Sequence, residues 1–207
     1  MTITTLVYLC FWCAMAMASI KLFVPGASNW LWVLVGSFLV SIVGDYFLRT
    51  RTSDTGFILG IAGYFVAHIG FLIYGWVFIT GTARFSWVVA AIIFVPFLVF
   101  YGLALFPSQP LQNNMYLNIA VLAYLLISCT TLVVSIDVRS GLNPSWTWFY
   151  ALGIACLLAS DTLIAQKHFL NNSTLFELYM FPLFYTSYVF IAGSVVIKHL
   201  ISLFQSI

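Results

Sequence analysis

NWLWVLVGSFLVSIVGDYFL, residues 29 to 48, is a run of 20 residues in which Asp45 is the single charged side chain. A helix needs about 20 mostly apolar residues to cross the hydrocarbon of a bilayer. An ionisable group inside such a helix is costly and usually faces the interior of a helix bundle, where it serves function. This stretch therefore predicts a membrane helix that carries a functional acid near its end.

Similar apolar runs make up most of the chain. Of its 207 residues, 63% are hydrophobic and 6% are charged, whereas a soluble domain carries about 25% charged residues. Polar connections divide the sequence into seven predicted spans, at residues 4–21, 29–48, 55–80, 85–106, 115–136, 146–166 and 175–197. We expect one all-α transmembrane domain over residues 1–207, in a multi-pass protein that a bacterium would carry in its inner (cytoplasmic) membrane. Pro96 and Pro182 fall inside spans and predict kinks.

Several classes of function are disfavoured by composition. Seven Lys and Arg against five Asp and Glu give a net charge of +2, without the basic clusters that nucleic-acid binding needs. Cys10 and Cys13 form a C-x-x-C inside an apolar run. They lack the second pair of ligands that a zinc site requires. We therefore expect no nucleic acid, no metal and no cofactor, and we expect contacts with membrane lipids.

The second and sixth spans resemble each other. Each has an acid preceded by a small residue, in Ser-Ile-Val-Gly-Asp45 and Leu-Leu-Ala-Ser-Asp161, and each acid follows a Trp (Trp30 and Trp146) by 15 residues. Fifteen helical residues rise about 22 Å, so if both Trp side chains lie in one aromatic belt, both acids lie near the opposite interface. Because an even number of crossings separates the two spans, they run in the same direction. The sequence thus predicts a loose parallel repeat with Asp45 and Asp161 on one side of the membrane.

Two interpretations of these acids stay open. Burial favours the neutral form of a carboxyl group, as does a second carboxylate nearby, and a pair split in this way can supply a general acid and a general base. Alternatively, the acids pair with Arg49, Arg51 or Lys167 at the helix ends and only stabilise the fold.

Other polar residues lie at related positions. His68, inside the third span, follows Asp45 by 23 residues, and Tyr185 follows Asp161 by 24. His68 either joins two helices by a hydrogen bond or acts beside the acids. Glu177 begins the last span on the side of the acids and either joins their cluster or meets water.

The order of these motifs resembles a known family. Ser41-Ile-Val-Gly-Asp45 is followed by Gly63-Tyr-Phe-Val-Ala-His68, with Tyr74 six residues on, and then by Leu158-Ala-Ser-Asp161-Thr-Leu-Ile-Ala. This pattern resembles the lysoplasmalogenase-like (YhhN) family of membrane proteins over roughly residues 35–196. Members of that family usually have eight spans, with a Lys-Pro opening the second, whereas we count seven and Lys21 is followed by Leu22.

The resemblance implies a hydrolase that cleaves the vinyl ether bond of a lysoplasmalogen. The products are a fatty aldehyde and a glycerophospho-choline or -ethanolamine. Asp45 and Asp161 would be the catalytic pair, with Asp161 favoured as the acid because its flank is more apolar. His68, Tyr74, Tyr185 and Glu177 would position the substrate or water.

Other functions fit the same residues. Buried acids and repeated halves also occur in proton-coupled transporters, although those usually bind their solute at the midplane between inverted repeats. A non-catalytic lipid-binding protein would use the acids to hold helices together. Another lipid reaction, such as double-bond isomerisation, would use the same acids.

Overall fold

The computed structural model describes residues 3–50, 54–79, 86–142, 145–170 and 174–205, and within these ranges there is no β-strand. Eight α-helices lie in the described ranges. Their bounds are α1 Ile3–Phe23, α2 Leu31–Thr50, α3 Asp54–Ile79, α4 Trp87–Phe100, α5 Gln109–Asn113, α6 Met115–Leu142, α7 Ser145–Leu170 and α8 Thr174–Gln205. A π-helical segment, Tyr101–Leu105, continues α4 without a break.

The predicted polytopic helical architecture is confirmed, because each of the seven predicted spans coincides with one long helix. Six of these helices are long and apolar enough to cross a membrane, while the apolar part of α1, Val7–Phe23, is shorter. The multi-pass membrane protein expected from composition therefore has a matching set of helices.

Several helices extend beyond the predicted spans. We predicted ends at residues 136, 166 and 197, but α6, α7 and α8 continue to Leu142, Leu170 and Gln205. The apolar run must match the hydrocarbon thickness, whereas the helix itself can continue into the polar interface. Lys167 and His168 lie in the last turn of α7, where positive charge stabilises the helix dipole. The predicted connection before α6 also contains the short helix α5.

Six long helices contact each other in a closed ring. Around the ring the order is α1, α2, α3, α6, α7 and α8, and α8 contacts α1 again. Helix α4 lies outside this ring and packs on α6. The ring encloses an interior in which polar side chains from several helices can meet.

The predicted repeat corresponds to two tightly packed helix pairs, α2 with α3 and α7 with α8. A Cβ atom on Gly63 would lie 2.8 Å from the Cα of Gly44. A Cβ atom on Gly153 would lie 2.9 Å from both the Ile191 nitrogen and the Ser187 carbonyl oxygen. Small residues at these positions let the backbones approach, as is usual between membrane helices.

Aromatic side chains fill the interior between the two pairs. Phe38, Phe71 and Tyr188, from α2, α3 and α8, are fully buried, with ring centroids 5.4 to 6.5 Å apart. Phe38 precedes Asp45 by seven residues, or about 10 Å along the helix axis. This aromatic layer therefore closes the bundle interior on one side of the acids.

Candidate active site

Asp45 and Asp161 are both buried within candidate membrane spans, with exposed fractions of 5% and 9%. Asp45 lies in the last third of α2 and Asp161 in the second half of α7. Tyr64, whose hydroxyl binds Asp45, lines a cavity that Asp161 also lines. The two acids therefore belong to one buried polar cluster.

Asp45 is held by a tyrosine from the neighbouring helix. The hydroxyl of Tyr64 donates a hydrogen bond to Oδ1 of Asp45, and the tyrosine is 2% exposed. The small residue before the acid explains this closeness, since a Cβ on Gly44 would lie only 3.0 Å from the Tyr64 ring. The Gly-Asp sequence thus brings α3 near enough for its tyrosine to reach the carboxylate.

Asp161 has two polar neighbours from other helices. The hydroxyl of Tyr124, on α6, donates a 2.6 Å hydrogen bond to Oδ2 of Asp161. The same oxygen lies 3.5 Å from Nε2 of His68, on α3. The fully buried His68 ring also lies edge-on to the Tyr124 ring, with centroids 5.3 Å apart. Of the two interpretations of His68, the geometry favours the one in which it lies beside an acid.

The imidazole of His68 has unused hydrogen-bonding capacity. Among the described residues, neither ring nitrogen has a hydrogen-bond partner that meets normal geometry. Buried polar atoms are usually hydrogen-bonded, so one that is not calls for an explanation, such as a role in catalysis or an ordered water. His68 can therefore bind a water molecule without breaking an existing hydrogen bond.

Two small cavities, each of about 50 Å³, meet at Asp161. We name them by the helix that distinguishes them. The α3 cavity is lined by Leu48, Ile61, Tyr64, Val121, Tyr124, Asp161, Ile164, Ala165 and Phe169. The α4 cavity is lined by Phe97, Phe100, Tyr101, Leu105, Val121, Tyr124, Leu125, Ser128, Leu158, Asp161, Thr162 and Ala165. A volume of this size holds a few waters or a short piece of a ligand.

The two acids relate differently to these cavities. Asp161 lines both, whereas Asp45 lines neither and binds the hydroxyl of Tyr64, which lines the α3 cavity. The sequence predicted a catalytic pair with Asp161 favoured as the acid. In the structure, Asp161 is the acid of this pair that lines the cavities.

The remaining predicted site residues lie elsewhere. Tyr74 is buried against Tyr150 with ring centroids 5.8 Å apart, and it lines neither cavity. Tyr185 packs against the main hydrophobic core and also lines neither. The side chain of Glu177 lies outside the described residues.

The alternative in which the acids pair with Arg49 or Arg51 falls on side chains that lie outside the described residues. Among the described side chains, tyrosines donate hydrogen bonds to Asp45 and Asp161.

Sequence reasoning missed Tyr64 and Tyr124. Tyr64 stands four residues before His68 in the motif quoted above, so that both side chains lie on one face of α3, and this spacing was a usable signal. Tyr124 is one of two tyrosines in the apolar span 115–136, outside the repeat, and nothing in its local sequence distinguishes it.

The arrangement combines a carboxyl group and a phenol at the wall of two mostly apolar cavities, with the His68 imidazole, which lines neither cavity, 3.5 Å from the carboxylate. Such a group can transfer a proton to a bound molecule and receive one back from water. Among the residues that the structure describes, no three His, Cys, Asp or Glu side chains are grouped as metal ligands.

Comparison with known proteins adds the family. A sequence model of the YhhN family matches residues 1–195, which is nearly the whole chain. No curated protein and no solved structure gave a significant match. The match includes every motif that carries the resemblance seen in the sequence, together with the helices that build the site. The chain therefore belongs to the YhhN family of membrane proteins.

Proposed function

We propose that this protein hydrolyses the vinyl ether bond of a lysoplasmalogen, releasing a fatty aldehyde and a glycerophospho-alcohol. The observation that carries the proposal is the position of Asp161. It lies between two cavities in a membrane span, and Tyr124 and His68 contact the same carboxylate oxygen. The chain belongs to the YhhN family. The resemblance of its motifs to lysoplasmalogenase-like proteins supports the same activity.

The reaction suits a carboxyl group in an apolar wall. Protonated Asp161 gives its proton to the β-carbon of the enol ether, and the electron pair of the double bond forms the new C–H bond. The resulting oxocarbenium ion is of the kind that glycosidases stabilise with carboxylates. Water then adds to the α-carbon, its proton returns to the carboxylate, and the hemiacetal collapses to aldehyde and alcohol.

The neighbours of Asp161 have complementary roles in this proposal. The Tyr124 hydroxyl stabilises the carboxylate that forms when the proton leaves, because a hydrogen bond to a charged acceptor is stronger than one to a neutral acceptor. His68 holds the attacking water through a ring nitrogen. The Tyr64 hydroxyl, bound by Asp45, orients the glycerol part of the substrate across the α3 cavity.

The experiment compares three lysolipids that share a head group and a chain length. The vinyl ether substrate should release aldehyde on incubation with the purified protein. The saturated alkyl ether should not react, because it has no double bond whose electron pair can accept a proton. The acyl ester also lacks this double bond and should not react by this route. Absence of aldehyde from folded wild-type protein would contradict the proposal, as would equal cleavage of all three lipids. Solute uptake that depends on Asp161, without lipid turnover, would replace the proposed hydrolysis by a transport function.

A further inference from the structure

The two cavities that meet at Asp161 differ in depth. The α3 cavity includes Leu48 and Phe169, which lie within two residues of the ends of α2 and α7. The α4 cavity also has a residue at the end of its span, Leu105, but it extends further, to Leu158, 12 residues or about 18 Å before the end of α7. The α3 cavity therefore leads toward the membrane surface, and the α4 cavity reaches toward the bilayer centre.

The polar groups of the α4 cavity are largely engaged with the protein itself. The Thr162 hydroxyl donates to the Leu158 carbonyl at 2.8 Å, and the Tyr101 hydroxyl donates to Oδ1 of Asn118. Apart from the catalytic cluster, the cavity thus presents mainly hydrocarbon to an occupant. Ser128 adds one more hydroxyl to the wall, and the rest is aromatic and aliphatic, as in Phe97, Phe100, Leu105 and Leu125.

The outer wall of the α4 cavity is the helix least embedded in the protein. In the α4 span, 22% of the residues are buried inside the protein, against 39 to 44% in the other five long spans. Lipid therefore has access to α4 along most of its length, and a chain in the α4 cavity has one helix between it and the bilayer.

The end of α4 beside Asp161 has an irregular backbone. Pro96 lies inside the helix, and the π-helical segment Tyr101–Leu105 follows within a turn and a half, with Phe106 N–H donating to the Tyr101 carbonyl at 2.8 Å. The wider turn places Tyr101 and Leu105 together on the bundle side, where both line the cavity. Insertions of this type are frequent at functional sites.

From these observations we propose that the hydrocarbon chain of the substrate leaves Asp161 through the α4 cavity toward the bilayer centre, while the glycerol and head group occupy the α3 cavity. This inference rests on the proposed function, because it assigns the two ends of the same substrate. A cavity of about 50 Å³ takes only the first few carbons, and the rest of the chain continues along α4 in the bilayer. The chain enters from the side, between α4 and the ring, where the hydrogen bond from Tyr101 to Asn118 joins the two.

A competing location for the chain is the groove between α3 and α6. It has about 200 Å³ and is lined by Ile58, Ile61, Ala62, Phe65, Ala120 and Ala123. It is larger than the α4 cavity, but Asp161 does not line it. The carbon that accepts the proton is the second carbon of the chain, so the chain must begin beside the carboxyl group.

The first test maps the chain without using catalysis. A saturated alkyl ether lysolipid, which the proposed reaction cannot cleave, carries a photoreactive diazirine in its chain and is bound to the wild-type protein. We expect crosslinks on the α4 cavity, at residues 97–105, 125–128 or 158–162, that an excess of unlabelled lysolipid removes. Competable crosslinks on the groove residues that line neither cavity, Ile58, Ala62, Phe65, Ala120 and Ala123, would place the chain in the α3–α6 groove and overturn the inference. Absence of competable crosslinks would overturn it as well.

The second test fills one cavity at a time. Leu125→Phe enlarges a half-buried aliphatic residue that lines only the α4 cavity, and Ile164→Phe does the same for the α3 cavity. Overpacking by a side chain of this size has a free-energy cost that corresponds to about a tenfold loss of affinity. We expect Leu125→Phe to raise KM about tenfold both for a lysoplasmalogen and for a simple alkenyl ether that lacks the glycerol and head group, and Ile164→Phe to raise KM for the lysoplasmalogen alone. The opposite pattern would overturn the inference.

The two proposals can fail separately. Competable crosslinks in the α4 cavity together with no aldehyde release would leave the chain site standing and reject hydrolysis. Aldehyde release together with crosslinks elsewhere would support hydrolysis and reject the chain site in the α4 cavity.

Discussion

At the scale of single residues, two tyrosines and a histidine distinguish this site from a simple pair of buried acids. Tyr64 and Tyr124 each donate to one carboxylate, from helices that neither acid belongs to. Buried carboxylates need such donors because their desolvation is otherwise uncompensated. The same bonds orient the acids, so these tyrosines should affect both stability and rate.

Tyr124→Phe should lower the rate of aldehyde release about 10- to 100-fold, since it removes one hydrogen bond to a charged group. Tyr150→Phe is the matched control. Its hydroxyl donates at 2.5 Å to the Phe71 carbonyl in the core, and it does not line either cavity. The control should lower the thermal midpoint in detergent and leave the rate per folded molecule unchanged. Equal effects of both variants on the rate would argue against a role for Tyr124 in the reaction.

His68→Phe should separate function from stability. Phenylalanine keeps the ring packing and removes two buried nitrogens that lack a hydrogen bond to any described residue. We expect the rate to fall about 100-fold, the lower end for general acid–base contributions. The thermal midpoint should stay unchanged or rise, because no unsatisfied polar atom is left behind. A lower midpoint with a normal rate would show that His68 is structural.

The residue scale also shows what sequence can reveal. Asp45, Asp161 and His68 stand out because ionisable groups are rare in apolar runs. Tyr64 and Tyr124 do not, because tyrosine is common in membrane helices, with 11 in this chain. Their pairing with the acids joins positions 19 and 37 residues apart, which only the packing of the helices determines.

At the scale of elements, close helix pairs hold the acids in place. Gly63→Ala and Gly153→Ala should each destabilise the protein by about 1 to 3 kcal/mol. Each new methyl group would meet backbone atoms within 3 Å, at Gly44 and at Ile191. Gly193→Ala is the control, since a Cβ there has nothing within 4 Å. Thermal midpoints in one detergent measure the effect, and equal midpoints for all three variants would contradict the packing described.

The ends of the elements were the least predictable feature of the fold. Hydropathy locates the part of a helix that lies in hydrocarbon, so the spans were found, while α6 continues six residues past its predicted end at Ile136. Its extension carries Asp137, whose Oδ2 accepts a hydrogen bond from the Ser86 backbone N–H at the start of α4. That contact depends on two distant segments, so no local signal could reveal it.

At the scale of the whole molecule, two similar helix pairs, α2–α3 and α7–α8, enclose one site. The repeat of a small residue before each acid predicted this arrangement. The two halves nevertheless differ in detail, since His68 lies 3.5 Å from Asp161 while Tyr185, at the corresponding position, packs against the main hydrophobic core. A loose repeat therefore locates the acids but does not identify their partners.

The order of crossings makes a prediction about sidedness. Ser28 and Ser86 precede α2 and α4, which begin at the end of the bundle far from the acids, while Ser108 follows α4 at the near end. In sealed vesicles, cysteines introduced at Ser28 and Ser86 should react with a membrane-impermeant reagent from one side. A cysteine at Ser108 should react from the other side, the side that the head group approaches. Labelling of all three from one side would contradict the topology.

The central claim is that Asp161 supplies the proton that cleaves the vinyl ether, and a pair of isosteric variants tests it most directly. Asp161→Asn and Asp137→Asn each neutralise a buried acid, but Asp137 lies 13 residues, about 20 Å, beyond Tyr124 on α6. Aldehyde release from lysoplasmalogen is measured for both, after each is shown to be folded. We predict that Asp161→Asn loses at least about 100-fold in rate, while Asp137→Asn keeps nearly the wild-type rate. A folded Asp161→Asn variant with the wild-type rate, or an equal loss in both, would contradict the claim.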